Sequence, residues 1–158
     1  MYTPLLVLHS WIRWAVLLLG LLAVGRALVG VQTRRPFTPV DDSRGRLFVT
    51  ALDVQFLVGL ILYLWASPFT TAAFYNLAEA MRNPPLRFFV VEHTFGMVAA
   101  LAFAHVGRVR LRRATDSAQR HKTALIFFGL ALAVILMSIP WPGLPAGRPL
   151  FRGLSTVE

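Results

Sequence analysis

Four long apolar runs constrain this chain more than any other feature of its sequence. They extend over about residues 5–31, 47–66, 86–107 and 123–139, and a helix that crosses the hydrocarbon core of a bilayer needs about 17–25 such residues. The runs are continuous rather than alternating, which excludes the pattern of a membrane β-barrel. Only helices then satisfy the backbone within lipid. The sequence therefore predicts an all-α integral membrane four-helix bundle, in one transmembrane domain over residues 1–158.

The composition agrees with this fold class and excludes several kinds of site. Apolar residues make up 56% of the 158 residues and charged residues 15%, whereas soluble domains have roughly 45–50% and about 25%. With no cysteine, the chain has no disulfide, thiolate zinc site, cysteine-ligated iron–sulfur cluster or thioether-linked haem. The GxGxxG, P-loop, HExxH and GxSxG motifs are also absent. A soluble enzyme is therefore excluded.

The basic residues predict the orientation of the bundle. The links after the first and third spans contain most of them: Arg26, Arg34, Arg35, Arg44, Arg46, Arg108, Arg110, Arg112, Arg113, Arg120 and Lys122. The opposite side contains Arg82, Arg87, Arg148 and Arg152. Since basic links stay in the cytoplasm, we expect a multi-pass protein of the bacterial inner (cytoplasmic) membrane with both termini outside. We then expect the net charge of +9 to attract anionic lipid headgroups rather than nucleic acid.

Two segments outside the spans are expected to lie at the outer surface. Ser67 and Pro68 form a good helix start, and apolar residues follow at four-residue steps. This pattern predicts one short interfacial helix over about residues 68–82. The tail, residues 140–158, is rich in proline and glycine, which predicts an irregular outer strap.

Ionisable residues inside the spans are the candidate functional residues, because a charge at the bilayer centre costs roughly 2.5–3.5 kcal/mol. His9 and Arg13 in the first span and Glu92 and His93 in the third fall at the same outer depth. His9 and Arg13 are four residues apart and share a helical face, as do His93 and Met97. His105 and His121 form a second, inner tier.

These residues favour a haem b site. Two imidazoles from facing helices can supply both axial ligands of a haem iron without cysteine. His9 and His93 are the predicted axial ligands, with Met97 as an alternative ligand. Arg13 would neutralise a propionate, and Glu92 would orient a ligand or balance Arg13. His105 and His121 are a weaker inner site, so one haem is favoured over two.

Structural interpretations of the same residues stay open. His9 could bond a backbone carbonyl, and Arg13 with Glu92 could be a buried ion pair between spans. His105 could lie at the depth of the lipid headgroups, and His121 could belong to a solvated basic edge of the protein. Asp53 could form an ion pair with Arg46 or Arg108. The functional alternatives are a cofactor-free accessory subunit of a larger membrane complex and, less favoured, a proton or small-solute carrier. Expected partners are lipid and either a quinone, protein subunits or further copies of the chain.

Several stretches carry a resemblance to a known family. They are HSWIRW (His9–Trp14), DVQFLVGLILY (Asp53–Tyr63), RFFVVEHTFGMVAALAFAHVGR (Arg87–Arg108), HKTALIFFG (His121–Gly129), and IPWP with RPLFR in the tail. The chain resembles small four-span bacterial membrane proteins that are often labelled cytochrome b-like, over nearly its whole length. The resemblance implies a four-helix membrane fold and haem binding through histidines.

Overall fold

The computed structural model describes residues 1–153, which fold into helices without strands. Four helical stretches are long and apolar enough to cross a membrane: Tyr2–Thr33, Pro39–Ala66, Pro84–Arg113 and Ser117–Met137. The predicted all-α fold with four membrane-length helices is therefore confirmed. Large apolar side chains such as Leu18, Leu57 and Phe95 are exposed on the outside of the bundle, as a surface that faces lipid requires.

The helices follow one another with short links. They are α1 (Tyr2–Thr33), α2 (Pro39–Ile61, extended by a π-helical turn over Leu62–Ala66), α3 (Pro68–Tyr75), α4 (Leu77–Arg82), α5 (Pro84–Arg87, followed by a π-helical turn over Phe88–Glu92), α6 (His93–Arg113) and α7 (Ser117–Met137). Two links, after α1 and after α6, lie at the end of the bundle rich in arginine, the arginine end. Met1, α3–α5 and the C-terminal tail lie at the other end, the tail end.

Capping residues fix the starts of two long helices at the arginine end. Thr38 and Asp41 form a capping box at the start of α2, and Pro39 occupies its first position. Asp116 caps α7 by accepting a hydrogen bond of 2.8 Å from the backbone N–H of Gln119. These caps satisfy backbone donors that would otherwise lack a partner. The links before α2 and α7 are short, so each of these helices runs antiparallel to the helix before it.

The packing order places α1 opposite α6. Helix α1 packs against α2 and α7, and α6 packs against α7 and more loosely against α2. Helices α1 and α6 therefore face each other across the centre, as do α2 and α7. The rings of Phe48 in α2 and Phe128 in α7 meet edge to face there, 5.7 Å apart, and both are fully buried. Small residues of α6, Ala100 and Ala104, are also fully buried and allow close helix approach.

The two outer segments differ in detail from the sequence prediction. Instead of one helix over residues 68–82, the structure has α3 and α4, which divide at Asn76. The Asn76 side chain accepts a hydrogen bond from Glu79 N and so caps a new helix. In the tail, residues 140–153 form turns and irregular backbone. Residues 154–158 of the predicted strap lie outside the described residues.

Candidate functional site

A cavity of about 170 Å³ opens at the tail end of the bundle. Helices α1, α2, α3, α6 and α7, both π-helical turns and the tail contribute to its lining. Most of the wall is apolar, with Leu6, Leu52, Phe89 and Ile135 among its residues. The polar groups that interrupt this wall define what the cavity can bind.

Two histidines face each other within this cavity. The ring centroids of His9 in α1 and His93 in α6 are 6.3 Å apart, and the ring planes are inclined at 74°. Both residues line the cavity, and they come from helices that lie opposite each other. The structure thus brings together the two imidazoles that the sequence predicts as a pair.

A backbone carbonyl orients His93. Its Nδ1 lies 2.8 Å from the carbonyl oxygen of Ser138, and since a carbonyl can only accept, Nδ1 carries a proton and donates it. A neutral ring then has its lone pair on Nε2. Metal-bound histidines typically have this arrangement, because the hydrogen bond fixes the tautomer and raises the basicity of the other nitrogen.

His9 is held by α2. The side-chain amide nitrogen of Gln55 lies 3.0 Å from the His9 carbonyl oxygen and 3.3 Å from His9 Nε2, so one NH₂ group donates to both. Gly59 lies beside the ring, and a Cβ there would come within 3.0 Å of His9 Cε1. The absence of a side chain at Gly59 therefore leaves room for the imidazole.

Three buried polar atoms at the cavity have no hydrogen-bond partner. They are His9 Nδ1, Arg13 Nε and Gln55 Oε1, half of the six such atoms among the described residues. An unpaired buried polar atom costs about 1–3 kcal/mol, and natural proteins have few of them. The other three belong to Arg120 and His121 at the arginine end, so such atoms are not confined to the cavity, but those at the cavity offer unused hydrogen-bonding positions to a polar ligand.

The charged residues of the cavity are all cationic. Arg13, Arg148 and Arg152 line it, and no Asp or Glu does among the residues that the structure describes. Burial lowers the pKa of Arg152, Tyr2 raises it in part, and the nearby charge of Arg148 lowers it again. The guanidinium of Arg148 lies over the rings of Phe69 and Phe89. The cavity therefore suits a largely apolar ligand that carries negative charge.

The other predicted site residues have different surroundings. Met97 lines the cavity together with the histidines. Glu92 does not: its carboxylate pairs with Arg87 at 2.9 Å and is half-exposed. The structure therefore brings Glu92 neither to Arg13 nor to the imidazoles, and the predicted partner role of Glu92 has no geometric support. Arg13 donates instead to the carbonyl oxygen of Leu150.

The inner histidines have separate partners. His105 Nε2 lies 2.8 Å from the Asp53 carboxylate on the outside of the bundle, where both side chains are about half-exposed. His121 is fully buried rather than solvated, and its ring packs against Phe37 and Gly30. Asp42, not Asp53, pairs with Arg46 and Arg108. The inner pair is thus not assembled as a site.

Sequence reasoning did not assign Gln55, Arg148 and Arg152 to the site. Gln55 is a polar residue within an apolar span, which is a usable signal. It lies two residues after Asp53 and hence on the opposite face, and the structure does direct these two side chains to different histidines. The tail arginines have no periodic pattern that would place them, so only the fold reveals their position.

No protein-family model, curated protein or solved structure matches the chain.

Proposed function

We propose that this protein binds one haem b between His9 and His93 and transfers electrons in the membrane, in exchange with a quinone or as a subunit of a redox complex. The observation that carries the proposal is the facing pair of imidazoles, with centroids 6.3 Å apart, in an apolar cavity without carboxylates among its described residues.

The separation of the two rings fits a single metal ion between them. Metal–imidazole bonds of about 2 Å, with about 1 Å from each ligating nitrogen to its ring centre, put two opposed ring centres about 6 Å apart. His93 already has its lone pair on Nε2, because Nδ1 donates to Ser138. His9 Nε2 lies 3.3 Å from the Gln55 side-chain nitrogen, and His9 would have to give up this contact in order to bind a metal through Nε2.

The remaining residues suit the same ligand. A bound haem would supply one-electron exchange at its iron, which amino-acid side chains do not provide. The apolar wall would exclude water and cover the macrocycle, and the arginines would balance its carboxylates. Met97 lines the cavity and stays the alternative axial ligand. Since the inner histidines have other partners, the proposal is for one haem.

A second candidate function is a cofactor-free subunit of a larger membrane complex. One observation favours it: the His105–Asp53 pair is about half-exposed on the outside of two helices that are apolar enough to lie in a membrane. Polar groups at such a position are costly in lipid, and a partner helix would cover them. Both functions are compatible if the haem protein is itself a subunit.

The proposed location is the bacterial inner membrane, with the tail end outside. The support is the distribution of charge, since both links at the arginine end are rich in basic residues, and such links remain in the cytoplasm. The proposed electron transfer would then occur close to the outer face of the membrane, where the cavity opens.

Single histidine variants test the haem proposal. We expect His9→Ala and His93→Ala to lose most of the haem that copurifies with the protein, whereas His105→Ala keeps it. The measurement is the ratio of haem to protein after purification in detergent, with helix content checked by circular dichroism. In a His93→Gly variant, added imidazole should restore haem binding, which separates ligation from folding. Equal haem ratios in all variants would contradict the axial assignment.

A further inference from the structure

The C-terminal tail is fastened onto α1 by side chains that bind its backbone. The indole N–H of Trp11 donates to the carbonyl oxygen of Arg152 at 3.0 Å, and that of Trp14 donates to Leu150 at 3.2 Å. The guanidinium of Arg13 donates to the same Leu150 carbonyl. Phe151 stacks on Trp14, with centroids 5.3 Å apart and planes inclined by 14°. Three side chains within one helical turn thus fix residues 150–152.

This attachment places two tail arginines at the cavity. Arg148 and Arg152 both line it, and their charges are close enough to repel each other. Arg152 also interacts electrostatically with Arg13. Among the described residues, none of the three has a carboxylate within 4 Å, whereas Arg26, Arg35, Arg46, Arg87 and Arg108 each do.

Clustered cations without a counter-ion are unfavourable where burial reduces solvation. The packing of the Arg148 guanidinium over the rings of Phe69 and Phe89 orients it but supplies no negative charge. Arg13 already uses one nitrogen to hold the tail. An anion beside Arg148 and Arg152 would balance charges that no carboxylate among the described residues pairs with, and carboxylate is a group that guanidinium binds in a fork of two hydrogen bonds.

We propose that Arg148 and Arg152 bind the two carboxylates of a tetrapyrrole in the cavity, so that the C-terminal tail is the anion-binding element of the site. This inference rests on the proposed haem function. It changes the predicted role of Arg13, which fastens the tail instead of serving as the main partner of a propionate.

Two probes that differ only in charge test the inference. Haemin has two carboxylates, and haemin dimethyl ester has both neutralised. We expect the full-length apoprotein in detergent to bind haemin about ten- to a hundredfold more tightly than the ester, as hydrogen bonds to charged groups require. The double variant Arg148→Gln/Arg152→Gln should lose this preference while it still binds the ester. Arg82→Gln is the control, since Arg82 is an exposed cation at the same end that does not line the cavity.

The outcomes separate this inference from the proposed function. Equal binding of both probes by the wild type, with dependence on His93, would overturn the role of the tail arginines and support the axial histidines. A preference for haemin that persists in His93→Ala would support the tail and contradict the axial ligand. Failure to bind either probe would overturn both. The double variant Arg148→Lys/Arg152→Lys should keep part of the preference because it keeps both charges, and this result controls for folding.

Discussion

At the scale of single residues, the same side chain has different roles according to its hydrogen-bond partners. His93 donates from Nδ1 to a carbonyl, and its ring lies 6.3 Å from that of His9, centroid to centroid. His121 is fully buried, has no hydrogen-bond partner on either ring nitrogen among residues 1–153, and packs against Phe37 and Gly30. Of these two histidines, His93 combines an orienting partner with a position at the cavity, and so His93 suits ligation whereas His121 does not.

A methyl group at Gly59 should disturb the haem site selectively. The added Cβ would lie 3.0 Å from His9 Cε1 and 3.5 Å from Nδ1, so the ring must move from its position opposite His93. We expect Gly59→Ala to lower the haem-to-protein ratio several-fold. Gly129→Ala is the matched control, because none of the residues that the structure describes lies within 4 Å of the added Cβ. That variant should keep its haem and gain up to about 1 kcal/mol of helix stability. Similar haem loss in both variants would contradict the assignment of His9.

The sequence predicts the histidine pair because depth in a span follows from residue position at about 1.5 Å per residue. It does not predict the partner of Glu92. Arg87 and Glu92 are five residues apart, which an α-helix separates around its axis. The π-helical turn over Phe88–Glu92 has a wider repeat that brings such residues together. No pattern in the sequence predicts that π-helical turn.

At the scale of elements, the sequence does not predict how the tail attaches to α1 or which helices contact each other. Tryptophan near the end of a membrane-length helix is typical of an interfacial aromatic, yet the indole N–H groups of Trp11 and Trp14 bind carbonyls of the tail. A tryptophan at the membrane interface and a tryptophan that binds the tail both lie near a helix end, so the sequence does not distinguish these two roles. Small residues favour close packing of helices, and Ala100 and Ala104 of α6 are fully buried.

A larger residue at Gly107 should weaken the contact between α6 and α7. A Cβ at Gly107 would lie only 2.6 Å from the Cβ of Phe127, an atom near the backbone that cannot rotate away. We expect Gly107→Val to destabilise the bundle by about 1–3 kcal/mol, measured by chemical unfolding in detergent. Gly25→Val is the control, because a Cβ at Gly25 meets no atom of the described part of the chain within 4 Å. A Gly25→Val loss as large as that of Gly107→Val would show that helix propensity, not packing, sets the effect.

At the scale of the whole molecule, the fold follows from hydrophobic length and the site from packing order. Four apolar runs and no alternation suffice to predict four spans, and the structure confirms four membrane-length helices. Which helices lie opposite each other depends on how the ridges and small residues of every helix fit together. That order brings His9 to His93 and the tail arginines to the same cavity.

The absorption spectrum of the purified full-length protein, oxidised and then reduced with dithionite, tests the central claim most directly. The account predicts a Soret band that shifts on reduction, sharp visible bands of a haem with two axial ligands, and a stoichiometry of one haem per chain. A folded, helical preparation from haem-replete cells that neither absorbs in this range nor takes up added haemin would contradict it.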